Sequence, residues 1–198
     1  MQESFLSQNF EELSDDELML RTANGDGEAF RELVERHHGL VRSVAYRMGL
    51  PAVDVDDAAQ QVFLRVWRAA QNYRPASTFT SWLLAIVRNV LRNYVRDWRN
   101  SPFGNLDVND VYKENPTFID QSCPDEELEK KEIGELVRSA IAELPENQRL
   151  ALVLHRLEGL PQEVVADVLG VSVQAVKNLV HRAKENLRRK LAPLLEDN

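Results

Sequence analysis

Apolar residues recur along this chain at spacings of three and four, and sustained period-two alternation is absent. Ser14-Asp15-Asp16-Glu17 has the form of a capping box and opens a first short helix that should end near Gly25. Phe30, Leu33, Val34, Val41, Val44 and Ala45 stripe a second helix from about Glu28 to Met48, where Gly49 stops it. After Pro51 a third helix, with Asp54 as its expected cap, runs to about Gln71. Ala58, Ala59, Val62, Phe63, Val66, Ala69 and Ala70 form its apolar face. A fourth spans roughly Phe79 to Trp98.

The periodicity then breaks. Ser101-Pro102, Gly104-Asn105, Asn115-Pro116 and Cys123-Pro124 are turn or breaker pairs set among acids. A stretch of this length is too long for a simple connection inside one compact domain. Helices resume near Asp125 and run to Glu143, and the next starts at Pro145 and stops at Gly159. The expected fold is therefore all-α: two small helical domains joined by an acidic, flexible linker. The expected boundaries are a flexible acidic leader 1–13, a helical domain 14–100, a linker 101–124 and a second domain 125–195.

Residues 161–182 read as a helix-turn-helix. Ala166 is small where two helices approach, Gly170 permits the left-handed turn, and Ser172 can cap the second helix. Val165, Leu169, Val173, Val176 and Leu179 would lock the pair together. Gln174, Lys177, Asn178, His181 and Arg182 fall on the outward side, where they can reach base edges or phosphates in a major groove. An ordinary helical hairpin with a polar outer face is the plain alternative.

Composition modifies this picture in two ways. The net charge of −8 is unpromising for a freestanding DNA-binding protein. Between Leu40 and Asn100, however, nine arginines face only four aspartates, while acids gather in the leader and from Asp107 to Glu132. Such segregation implies that a second protein helps bring this one to DNA. Cys123 is the only cysteine, so no internal disulfide can form. No apolar run approaches the roughly 18 residues of a membrane span, and a cytoplasmic location is expected.

The fourth helix and the loop before it carry further chemistry. Arg88, Asn89, Arg92, Asn93 and Arg96 crowd a surface flanked by Trp82, Tyr94 and Trp98. Asn72, Tyr73, Arg74, Ser77 and Phe79 lie in a loop mixing aromatic, basic and small polar groups. Arginines neutralise phosphates, while aromatic faces and loop pockets hold unstacked bases, a combination suited to single strands. The bland alternative makes Trp82 and Phe79 core and the arginines solubilising, and core is the better reading for Trp82. His37 and His38 are adjacent, about 100° apart on a helix, and make a poor metal pair. No phosphate-binding Gly-rich loop or nucleophile with a base is present, so neither an enzyme nor a cofactor is expected.

From about Leu18 to Leu191 the chain resembles a bacterial sigma factor of the extracytoplasmic-function group, within the sigma-70 family. Asp57-Ala58-Ala59-Gln60-Gln61-Val62-Phe63-Leu64-Arg65-Val66-Trp67-Arg68 resembles the region 2.2 helix. The resemblance implies docking on the clamp helices of core RNA polymerase through Asp57, Gln60, Gln61 and Arg65. Residues 72–79, with Thr80-Ser81-Trp82-Leu83 and Arg88-Asn89, resemble the segment that melts and reads the −10 element. Leu144-Pro145-Glu146-Asn147-Gln148-Arg149 resembles the opening of region 4, which reads the −35 element and meets the flap region of polymerase. Arg149 and Ser172 thus join Gln174, Lys177, Asn178, His181 and Arg182 in the expected −35 set. The family further implies an anti-sigma partner and a linker lying near the RNA path. Val164 stands where the family usually has glutamate, and Gln174-Ala175 where it has Gly-Thr, so promoter preference does not transfer. Two rivals stay open: a DNA-binding regulator using only the carboxyl-terminal motif, and a helical interaction protein with no DNA role.

Overall fold

The computed structural model describes residues 10–75, 77–99 and 124–196. The expected linker falls almost wholly outside the described residues, as do Cys123 and the side chains of Arg96 and Trp98. Eight α-helices are described: α1 (Asp15–Ala23), α2 (Gly27–Arg47), α3 (Ala52–Ala69), α4 (Phe79–Arg99), α5 (Pro124–Ala142), α6 (Glu146–Leu152), α7 (Gln162–Leu169) and α8 (Val173–Glu196). No strand occurs among the described residues, and the fold is all-α.

Local chemistry explains the helix starts. Ser14 accepts the Glu17 N–H while Glu17 reaches back to the Ser14 N–H at 2.8 Å, the expected capping box. Asp26, not anticipated as a cap, accepts from the N–H groups of Glu28 and Ala29 at 3.0 and 3.1 Å and starts α2. Such a cap contributes about 1 kcal/mol. Two expectations are corrected. Asp54 does not cap α3: the cap position belongs to Pro51, and Asp54 sits one turn inside. Pro145 likewise precedes α6 as its cap and is not its first residue. The missing proline N–H suits both places, because the first turn leaves that donor without a helical partner anyway.

The leader is not wholly free either. Phe10–Glu12 form a single 3-10 turn, and Arg36 donates to the carbonyls of Phe10 and Leu13, each at 2.7 Å. A cation that satisfies two carbonyls and an aspartate ties this strap to α2.

α1 to α4 pack around Leu33, Val44, Val62, Val66, Leu83 and Val87, all nearly inaccessible to water. α5 to α8 pack around Leu150, Leu154, Val165, Val176 and Ala183. Between α6 and α7 the backbone widens into a π turn, Val153–Leu157, where the Glu158 N–H reaches back to the Val153 carbonyl at 3.0 Å. His155 donates through Nδ1 to the Leu160 carbonyl at 2.9 Å, and Gln162 donates to its Nε2 at 3.3 Å.

The two halves touch. α4 lies along α7, and the buried residues of both halves join one contiguous apolar cluster. Ser43 donates to Glu158 at 2.6 Å and Arg47 pairs with Glu158 at 3.0 Å. The Arg138 guanidinium lies over the Tyr46 ring, 4.7 Å from its centroid.

Candidate nucleic-acid interface

The helix-turn-helix forms as its residue spacing requires. Gly170 closes α7 in the left-handed conformation at φ 66°. The Val171 N–H bonds the Ala166 carbonyl at 3.0 Å and the Gly170 N–H that of Asp167 at 3.2 Å, a Schellman closure. The Ser172 hydroxyl accepts the Ala175 N–H at 3.2 Å, so it caps the first turn of α8 and is occupied there. Val165, Leu169 and Val176 are buried as expected, but Val173 and Leu179 are only partly covered. Val180 and Ala183 complete the buried face instead. The three- and four-residue steps from Val176 make that choice legible.

Gln174, Lys177, Asn178, His181 and Arg182 all stand exposed on the outer side of α8. The Gln174 amide reaches Asn178 at 3.5 Å, and His181 lies 3.3 Å from Glu185 one turn on. Arg149 is different. It is half-buried and donates to the Ala142 carbonyl at 2.7 Å, closing the end of α5. The structure therefore places Arg149 in the fold and not on the outer face of α8.

The segment before α4 also sorts into two groups. Asn72, Arg74 and Ser77 are exposed, with Arg74 donating to the Tyr73 carbonyl at 2.8 Å. Tyr73 and Phe79, expected to face bases, are each only 3% exposed. Their rings meet edge to face at 6.1 Å, and both pack on Trp82, at 4.9 and 5.7 Å. The Tyr73 hydroxyl donates to Asp16. Burial first, and then this bond, push the phenol well above its ordinary range. These two aromatics are anchors of the loop, a correction to their reading as surface groups.

On α4, Asn89 and Arg92 are exposed and Asn93 is half-buried. Arg88 turns toward the carboxyl-terminal half, its guanidinium 3.4 Å from the Val168 carbonyl and from the Asn147 side chain. Glu146 lies 3.9 Å away. This partnership had no signal in the sequence, since 80 residues separate Arg88 from Val168.

α3 presents Asp57, Gln60 and Gln61 to solvent, with Arg65 half-buried beside them. Leu64 and Trp67 are exposed on the same side, and Trp67 meets Phe30 edge-on at 5.0 Å. Sequence reasoning passed over these two, although both fall outside the apolar stripe of α3 and so had to face outward. Asp54 is pushed above the usual carboxylate range by burial, with the charge of Asp57 adding to it.

Fold and surface together define a class: an all-helical, two-part protein with an exposed helix-turn-helix face, a basic-aromatic loop and a mixed apolar-polar docking face on α3. Residues 33–100 match the family model of sigma-70 region 2, and residues 134–187 match that of sigma-70 region 4. The ECF RNA polymerase sigma-E factor of Escherichia coli K12 is 32% identical over 188 residues, covering 93% of this chain and 98% of that protein. Its counterpart in Haemophilus influenzae is 30% identical over 188 residues, covering 93% and 99%. CnrH, solved in complex with the cytosolic domain of CnrY, superposes with a TM-score of 0.66 at 28% identity, covering 93% of this chain and 98% of that one. RpoE of Bartonella quintana, solved with the anti-sigma factor NepR, shares the fold, with a TM-score of 0.62 at 20% identity over 82% and 96%.

The chain belongs to the extracytoplasmic-function group of the sigma-70 family. It is a transcription initiation factor that acts with RNA polymerase in promoter-specific initiation.

Proposed function

We propose that the amino-terminal half, taken as 14–100, docks on core polymerase through Asp57, Gln60, Gln61 and Arg65, with Leu64 and Trp67 supplying apolar contact. The loop residues Asn72, Arg74 and Ser77, with Asn89, Arg92 and Asn93 on α4, then capture the opened non-template strand of the −10 element. Arg88 joins them once the carboxyl-terminal half no longer holds it. In the second domain, taken as 125–195, Gln174, Lys177, Asn178, His181 and Arg182 read the −35 duplex in its major groove. The acidic tether 101–124 lies near the RNA path. RNA synthesis belongs to the polymerase, and no catalytic step is assigned to this chain. The site of action is the cytoplasm. CnrH and RpoE are each held by a protein partner in their structures, and an anti-sigma protein is proposed here in the same sense.

Two observations carry this reading. Both family regions occur on one chain in order, and the polar face of α8 is free of intramolecular cover from α7 or α6. Transcription in vitro with purified core polymerase and a set of bacterial promoters is the direct test. Promoter-specific transcripts are expected with this protein and not with core alone. Binding to core without any such transcript would remove the initiation role.

Arg182→Ala provides a sharper measure at the upstream contact. If the guanidinium neutralises one phosphate, upstream affinity should fall across all sequences. The slope of log K against log salt should shrink by about 1. An unchanged slope takes Arg182 out of the contact set.

A further inference from the structure

The loop between Tyr73 and Phe79 exposes Arg74, Ser77 and Thr78 but buries the aromatic ring at each of its ends. Both ends are tied to the same place, the first turn of α1. The Tyr73 hydroxyl donates to the Asp16 carboxylate. At the other end Phe79 packs against the His37 ring, 5.0 Å between centroids, and His37 Nε2 donates to the Asp15 carboxylate at 2.7 Å. The second oxygen of Asp15 accepts from Arg36 at 3.1 Å. The same guanidinium also holds Glu32 and two carbonyls of the leader. The capping box of Ser14 and Glu17 fixes the turn that carries both aspartates. α1 itself presents Leu18, Met19 and Thr22 to the core, and its one arginine, Arg21, lies over the Phe10 ring, 5.7 Å from the centroid.

We propose that Asp15 and Asp16 are positioning residues for strand capture: they hold the two ends of the loop at a set separation, Asp16 through the Tyr73 hydroxyl and Asp15 through the His37 ring against Phe79. The physical argument is one of preorganisation. A loop held open before the strand arrives loses little conformational freedom on binding, whereas a slack loop must be ordered at the cost of affinity. Thr78 contributes at the same end, since its hydroxyl accepts the Ser81 N–H at 3.2 Å and fixes the start of α4. The inference rests on the loop's proposed role in reading the opened −10 strand, and the experiment separates the two.

Holoenzyme is assembled from core polymerase and each variant. Its affinity is measured for a promoter template whose −10 strand is already unpaired, and separately for the upstream duplex. Asp16→Ala and Tyr73→Phe are each expected to weaken capture of the unpaired strand roughly tenfold, the scale of one hydrogen bond to a charged group. Because both variants break one link, the double variant should be no weaker than either alone. Asp16→Asn keeps an acceptor for the phenol and should restore most of the loss. Core affinity and upstream affinity should stay within about twofold for all of them, as expected of distant sites. Arg74→Ala serves as the loop's own control and should weaken capture.

If Arg74→Ala weakens capture but Asp16→Ala does not, the positioning role is overturned and the loop's reading role survives. Additive losses, or Asp16→Asn as weak as Asp16→Ala, overturn the coupling as well. If Arg74→Ala and Asp16→Ala are both silent, the loop does not read the strand and the positioning role falls with it.

Discussion

A Glu158→Lys protein should come apart at the seam between its halves while each half stays helical. Glu158 is the one acid that reaches across from the π turn to α2, with Ser43 at 2.6 Å and Arg47 at 3.0 Å. Its side chain is only 11% exposed. Lysine there would remove the acceptor and set a second cation against Arg47. Leaving a buried charge without its partner costs about 3–5 kcal/mol, and the partial exposure of Arg47 trims this toward the lower end. Because both halves belong to one polypeptide they stay at a high effective concentration after parting, so the separation is reversible. Dyes at the exposed positions Glu35 and Arg188 would report it as a longer distance in single-molecule energy transfer, with far-ultraviolet circular dichroism unchanged. Glu158→Gln, which still accepts from Ser43, should shift the distance less. A distance that does not move in Glu158→Lys would show that the remaining contacts, the apolar contact of α4 with α7 among them, hold the seam without this pair. Arg88 gives the separation a functional edge, because its contacts with Val168 and Asn147 cross the same seam.

Leu154→Ala should cause a large loss of stability. Leu154 has no accessible surface, whereas Leu157 in the same π turn is 37% exposed. Emptying a site of this kind costs about 2–5 kcal/mol, the lost transfer energy of the side chain plus the cavity left behind. At this chain length each kilocalorie lowers the melting temperature by about 2–4 °C, which puts the fall at roughly 4–20 °C. The Leu154 carbonyl also accepts the Leu160 N–H at 3.0 Å, so a collapse there loosens the entry into α7 and the helix-turn-helix with it. Leu157→Ala should stay within about 0.5 kcal/mol. Thermal melts of the two variants side by side test the assignment, and equal shifts would refute it.

The comparison of Asp54 with Ser14 shows where reading along the chain works. Ser14 and Glu17 satisfy each other's backbone within one turn, so the cap is legible from four residues. Asp54 has an equally suitable side chain but lies three residues after Pro51, whose fixed φ starts α3 earlier. The same contrast separates the outer face of α8 from the loop before α4. Lys177 and Arg182 had to point outward once Val176 and Val180 pointed in, because the helical repeat leaves no freedom. Tyr73 sits before α4 where no repeat applies, and its burial depends on Trp82 and Asp16. Phe79, by contrast, opens α4 in register with the buried Leu83 and Val87, so its core alternative was legible.

What the sequence determined by itself was local and periodic. It specified eight helices, the glycine that turns the helix-turn-helix, the exposed polar faces of α3 and α8, and the family likeness those patterns carry. Each follows from interactions within about five residues, where spacing alone dictates direction. The tertiary structure alone decided that Tyr73 anchors the loop, that Arg149 closes α5, and that Arg88 and Glu158 bridge the two halves. It also drew the first turn of α1 under the loop before α4. Apart from Arg149, which reaches back 7 residues to Ala142, these choices pair groups tens of residues apart, and only the folded chain brings a donor and acceptor of such separation within about 3 Å of one another.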